Sequence, residues 1–195
     1  MGKKKYLDKI QELLRKSPVV DADSIIRIVR SGKNVKQYHK QLIRNLVIGG
    51  KIKRLAKGCY TAHEDTSLAV FCFKPAYLGL QDALSIHNLW EQERIPVIIT
   101  VRKVRNDIRS ISGANALIRR IDKKYFFGYA YIKQGDFYFP VSDVEKTFID
   151  MVYYNENISN ELVASIKKRI DRKKLKSYLK RYPGMILKRI GKYGF

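Results

Sequence analysis

The sequence predicts an α/β (α+β) protein of two domains: three short helices and a basic hairpin at 1–62, then a mixed α/β domain at 63–195 with a helical C-terminal subdomain at 156–195. Three observations predict it. Helical periodicity fills the first segment, short β-type runs alternate with helical ones in the middle, and charge is partitioned along the chain. The 195 residues carry 40 Lys+Arg against 18 Asp+Glu, a formal +22. Residues 1–60 contribute +12, residues 61–155 only +1, and residues 156–195 the remaining +9. A uniformly basic surface would not divide this way, so the segments have separate tasks. Such a field favours a polyanion, and nucleic acid is the usual one. Hydrophobic residues make up 45%, which excludes a wholly disordered chain. No apolar run is long enough to span a bilayer, and acids and amides interrupt the apolar positions of MGKKKYLDKIQELL. The expectation is a cytoplasmic protein without a membrane partner.

In the first domain Leu7, Ile10, Leu13 and Leu14 recur at helical spacing, and Ser17-Pro18 ends that helix. Val19-Val20 reads as a very short strand. Asp23 is the expected cap of a second helix carrying Ile25, Ile26, Ile28 and Val29. The turn Ser31-Gly32-Lys33 leads to a third helix, capped by Asn34 and closed by Gly49-Gly50. On this helix Val35, Tyr38, Leu42 and Leu46 form one stripe. Lys36, Gln37, Lys40, Gln41 and Arg44 form the opposite one, which has no acid. Lys and Arg can meet phosphates or guanine edges, and Gln can make two hydrogen bonds to adenine. A merely solvated face would mix Glu with its Lys. KIKRLAKGCYTA then forms a hairpin, with Ile52 and Leu55 inward, Lys53 and Arg54 flanking, and Lys57-Gly58 at the tip. Three helices and such a hairpin make a winged helix-turn-helix, whose partner is double-stranded DNA. Its expected DNA-binding residues are Lys33, Lys36, Gln37, Lys40, Gln41, Arg44, Lys53, Arg54 and Lys57.

In the nearly neutral middle, Leu68–Phe73 reads as a buried strand ended by Lys74-Pro75. Gly79–Gln92 reads as a helix, Pro96–Val101 as a strand, and Tyr125–Ile132 with Phe137–Phe139 as a hairpin. One aromatic set of that hairpin faces the core; the other is covered by the chain or by another protein. Ser142-Asp143-Val144-Glu145 matches an S-x-x-E capping box opening a helix through Phe148, Ile149, Met151 and Val152. Asp82, His87 and Glu91 on one helix allow an acid–base pair, but a histidine held by a carboxylate explains them as well. Asp143 and Glu145-Lys146 faintly suggest a metal nuclease, yet Thr147 breaks the E-x-K spacing. No catalytic residue, metal ligand or cofactor is expected, and the protein is read as not an enzyme. Cys59 and Cys72 lack C-x-x-C spacing and read as free thiols in a reducing compartment.

Four segments together resemble a known family: GKIKRLAKGCYT at 50–61, ALSIHNLWEQ at 83–92, VSDVEKTFIDMV at 141–152 and MILKRIG at 185–191. In order and spacing the chain is similar to AbiEi, the antitoxin and transcriptional regulator of type IV toxin–antitoxin systems. The resemblance implies an N-terminal winged helix that represses its own operon and a C-terminal α/β domain associated with antitoxin activity. It also implies a nucleotidyltransferase-like toxin as partner. A stand-alone winged-helix regulator and an RNA-binding or nucleic-acid-processing protein are the alternatives.

In the tail, Ser159 or Asn160 caps a helix with Leu162, Ile166 and Ile170, followed by Leu175, Tyr178, Leu179 and Tyr182. Between these lie Lys167, Lys168, Arg169, Arg172, Lys173, Lys174 and Lys176. They form either a solvated face of a docked helix or a second polyanion surface.

Overall fold

The computed structural model describes residues 2–30, 38–91 and 95–195. The expected turn at 31–33, the Asn34 cap and Val35 lie outside them. The architecture is mixed α/β, with a three-stranded sheet and a six-stranded mixed sheet. The chain divides into two compact units, residues 1–72 with 110–115, and residues 73–109 with 116–195. The division thus falls beyond the expected boundary at 62. Among the described residues no helix is long and apolar enough to cross a membrane.

In the first unit the order is α1 (Gly2–Lys16), β1 (Val20–Asp21), α2 (Ala22–Arg30), α3 (Tyr38–Ile48), β2 (Lys53–Ala56) and β3 (Cys59–Thr61). The strands form one antiparallel sheet in the order β1-β3-β2, with Val20 opposite Tyr60 and Lys53 opposite Thr61. Ile10, Leu14, Val20, Ile25, Leu42, Leu46 and Ile52 share one buried cluster, so each helix gives the core its apolar stripe. Asp21 caps α2: its carboxylate accepts from the Ser24 amide at 2.6 Å, which displaces Asp23 from that role. Gly58 takes φ +75 at the β2–β3 turn, a conformation that costs glycine nothing.

Two expectations are overturned here. The apolar run at Leu68–Phe73 is not a strand but part of a 3-10 helix, Thr66–Cys72, with Leu68, Ala69 and Val70 buried. Asp65 starts it, accepting from the Ser67 amide through its side chain and from the Leu68 amide through its carbonyl. Cys59 and Cys72 are not free thiols; they form a disulfide that ties β3 to the end of this 3-10 helix.

The larger sheet, in the second unit except for residues 110–115, is built on β4 (Ala76–Leu78), β5 (Val97–Thr100), β6 (Asp107–Ile111), β7 (Ala114–Arg120), β8 (Tyr129–Gln134) and β9 (Phe137–Ser142). Their order is β6-β7-β5-β4-β9-β8. The β4–β9 and β5–β7 pairs are parallel, whereas β4–β5 and β8–β9 are antiparallel. All four residues of β5 are buried, as a central strand requires. The helices are α4 (Leu80–Ile86), α5 (Val144–Tyr153), α6 (Asn160–Arg169), α7 (Arg172–Leu179) and α8 (Gly184–Gly191). Tyr77, Leu84, Ile99, Phe148, Ile166 and Leu175 belong to their shared core.

Several boundaries differ from the sequence reading. The helix expected to run to Gln92 stops at Ile86, where His87 is the C-cap and Asn88 turns left-handed at φ 56. β8 begins at Tyr129 rather than Tyr125, because Asp122 caps a 3-10 turn and Gly128 (φ +70) redirects the chain. A Cβ at Gly128 would lie 2.9 Å from Lys146 Cβ and from the Tyr178 ring, so only glycine fits. On the β8–β9 hairpin Phe139 is buried, Tyr129 stacks on Tyr77 at 5.4 Å, and Tyr131 and Tyr138 remain exposed.

Candidate nucleic-acid interface

The acid-free face of α3 is set by its packing. Leu42, Ile43 and Leu46 point into the core, which turns Lys40, Gln41 and Arg44 outward, all exposed. Gln41 Nε2 donates to Asn45 Oδ1 at 3.1 Å, one turn along the same face. Arg54 comes to this face from β2, lining with Lys40 and Arg44 a shallow groove of about 560 Å³ whose floor includes Ile43, Val47 and Tyr60. Three cations from two elements therefore surround one concavity. Lys57 is exposed at the hairpin turn. Lys53 differs: it is half-buried and ion-paired with Glu64, so much of its charge is answered within the unit. Lys33, Lys36 and Gln37 lie outside the described residues.

In the second unit Lys167, Lys168, Arg169, Arg172, Lys173 and Lys176 are exposed on α6 and α7. Lys174 does not join them. It turns back to pair with Asp143 and Glu145, each at 3.0 Å, and so links α7 to α5. Partial burial opposes its charge, but these two carboxylates hold its ammonium protonated beyond the usual lysine range.

The catalytic alternatives raised by the sequence find no geometry to support them. His87 lies past the end of α4, its Nε2 2.7 Å from the Ser142 carbonyl oxygen, so it does not share a helix with Glu91. Asp82 is buried and its carboxylate accepts from the Val97 amide. The capping residue of α5 is Asp143, accepting from the Lys146 amide at 2.8 Å; Ser142 is occupied with the Leu78 carbonyl and Thr147. Glu145 instead accepts from the Asp171 amide at 2.7 Å. Among the described residues no group of His, Cys, Asp and Glu could hold a metal ion.

What the sequence missed is a buried charge cluster on α5. Lys146 and Asp150, one turn apart, form a fully buried ion pair. Tyr77 donates to the same Asp150 carboxylate at 2.8 Å. The Lys146 ammonium lies over the rings of Tyr77, Phe127 and Tyr182, 5.4–5.9 Å from their centroids. Burial raises the Asp150 carboxyl against the pull of Lys146, lowers the Lys146 ammonium, and pushes the Tyr77 phenol well up. Tyr178 donates to Asp143 at 2.8 Å, and burial with this bond pushes its phenol up to about 12. The one available signal is the apolar company of Phe148, Ile149, Met151 and Val152 around Asp150.

Comparison with known proteins gives a likeness to solved structures. The RV2827C protein from Mycobacterium tuberculosis has a similar solved structure, with a TM-score of 0.63 over 97% of this chain and 76% of that one. The likeness is one of fold. At 12% sequence identity it carries nothing further. No protein-family model matches the chain. No curated protein matches it either.

Proposed function

We propose that the first unit is a winged helix-turn-helix that binds double-stranded DNA, with α3 in the major groove and the β2–β3 hairpin as a wing on the backbone. The element order α1-β1-α2-α3-β2-β3 around a β1-β3-β2 sheet supports that reading. One observation carries it: the outer face of α3 exposes Lys40, Gln41 and Arg44, has no acid among its described residues, and meets Arg54 of the wing around one groove. Lys57 at the wing turn adds a phosphate contact, whereas Lys53 serves Glu64 first.

The resemblance to AbiEi extends the proposal. The protein is an autoregulating repressor, and its second unit is an antitoxin toward a nucleotidyltransferase-like toxin. The DNA reading is tested with the full chain and a labelled duplex taken from upstream of its own reading frame. Lys40→Ala and Arg44→Ala should each weaken binding by about 1–3 kcal/mol where they read bases, or lower the salt slope where they meet phosphate. Melting temperature should not move, because both side chains are exposed. Unchanged affinity together with an unchanged salt slope in the double variant overturns the assignment. The antitoxin reading fails separately if co-expression does not relieve the toxicity of the neighbouring gene's product.

A further inference from the structure

We propose that the corner between α6 and α7 is a second nucleic-acid surface, which grips the phosphodiester backbone through Lys168, Arg169, Arg172, Lys173 and Lys176. It goes beyond the DNA reading of the first unit and does not depend on it.

Segment 156–195 has 12 basic and 3 acidic residues, and the acids are committed elsewhere. Glu156 pairs with Arg119. Glu161 stands in the first turn of α6, where a carboxylate suits the helix end. Asp171 spends its carboxylate on the backbone, capping α7 through the Lys173 and Lys174 amides. Among the described residues, Lys174 alone of the basic side chains on α6 and α7 finds carboxylates, those of Asp143 and Glu145. The five cations named above are exposed and form no ion pair within the described residues.

Folding does not explain their placement. At the C-terminus of α6, Lys168 and Arg169 suit the helix dipole. In α7 the sign is reversed: Arg172, Lys173 and Lys174 fill the first turn, which contains no acid. Cations there oppose the positive end of the dipole and cost stability. Lys174 is compensated by its two carboxylates; Arg172 and Lys173 are not. A charge kept where the helix disfavours it points to a partner outside the chain. Arg172 and Lys176, and Lys173 and Lys176, stand at i,i+4 and i,i+3, so the three share a face.

The surroundings select the kind of partner. A protein interface needs an apolar centre. None of the exposed large hydrophobic side chains falls within α6 or α7; Leu162, Val163, Ile166 and Leu175 are all buried. A phosphodiester polymer needs no apolar anchor, only cations that displace its counterions.

The test uses the full chain with short labelled duplexes of random sequence, one of DNA and one of RNA, titrated across salt concentration. Lys168→Ala/Arg172→Ala/Lys173→Ala/Lys176→Ala should reduce the slope of log K against log salt by about 0.9 for each DNA phosphate that is no longer neutralised. A loss on RNA alone would make the polymer RNA. Equal slopes and affinities for wild type and variant on both duplexes overturn the proposal. Arg172→Glu/Lys173→Glu sharpens it: the dipole argument predicts the same loss of slope with a melting temperature about 2–4 °C higher. A lower melting temperature would show that the cations serve the fold. The two readings also separate. If Lys40→Ala/Arg44→Ala removes all binding and the α6–α7 variants remove none, this surface falls and the winged helix stands. The reverse result sinks the winged helix and keeps this surface.

Discussion

On α3, Lys40 and Arg44 stand one turn apart, exposed, with no carboxylate on the described helix; on α5, Lys146 and Asp150 stand at the same spacing and are completely buried. Identical i,i+4 geometry therefore serves opposite ends. The difference lies in what surrounds each helix. α3 gives one apolar stripe to a small core and leaves its other side free. α5 is buried from Val144 to Val152, so any polar residue on it must find its partner inside the protein. The small unit is stapled by a disulfide, a common device where a core is limited, whereas the larger one closes around an ion pair.

The strongest way to break this comparison is to remove one partner of the buried pair. Asp150→Ala should cost about 3–5 kcal/mol, because it leaves the Lys146 ammonium buried and uncompensated. Urea denaturation measures it. Replacing the whole cluster, as Lys146→Met/Asp150→Leu/Tyr77→Phe, should recover most of the loss, since apolar groups need no partner and the Tyr77 hydroxyl is not left without its acceptor. A single variant as stable as wild type would mean that water reaches the site.

A smaller effect tests the staple. The disulfide closes a loop with a sequence separation of 13, and loops of that size contribute about 3 kcal/mol. Reduction should lower the first unit's unfolding transition and leave the second unchanged, because both cysteines lie in residues 1–72. Calorimetry with and without reductant distinguishes the two units. One transition shifting as a whole would contradict the comparison.

The smallest effect is alkaline. Tyr178 has its phenol raised from 10 to about 12 by burial and by the bond to Asp143. A group raised on folding stabilises fully below its unfolded value and loses that contribution as pH rises toward the folded one. Stability should therefore fall between pH 10 and about 12, and Tyr178→Phe should flatten that fall. A fall as steep in the variant would assign it to other groups.

Much of this arrangement was legible in the sequence where a pattern repeats locally. The stripe of Leu42 and Leu46 fixed which side of α3 is buried, and Lys57-Gly58 marked the hairpin turn. The misreadings share one cause: several local solutions were available, and a partner outside the segment itself chose among them. Leu68–Phe73 is too short an apolar run to separate strand from helix, and Asp65 tips it to 3-10. Ser142 and Asp143 are both good caps; the Leu78 carbonyl and Thr147 occupy Ser142, so Asp143 caps. Nothing local marks Lys146 and Asp150 as an internal pair, and only the packing of α5 buries them. Lys174 looks like one more cation of a basic run until α7 lies beside Asp143 and Glu145. Cysteine pairing across that separation has no motif at all.

The bond between Cys59 and Cys72 has one more consequence, of connectivity rather than energy. Those residues and the chain between them make a closed covalent ring, with Ala62, Glu64 and Asp65 exposed along it. Backbone cleavage at any point inside that ring opens it without releasing a fragment. The hairpin and everything after Cys72 stay one molecule through sulfur, so a cut there removes continuity of the polypeptide but not of the protein.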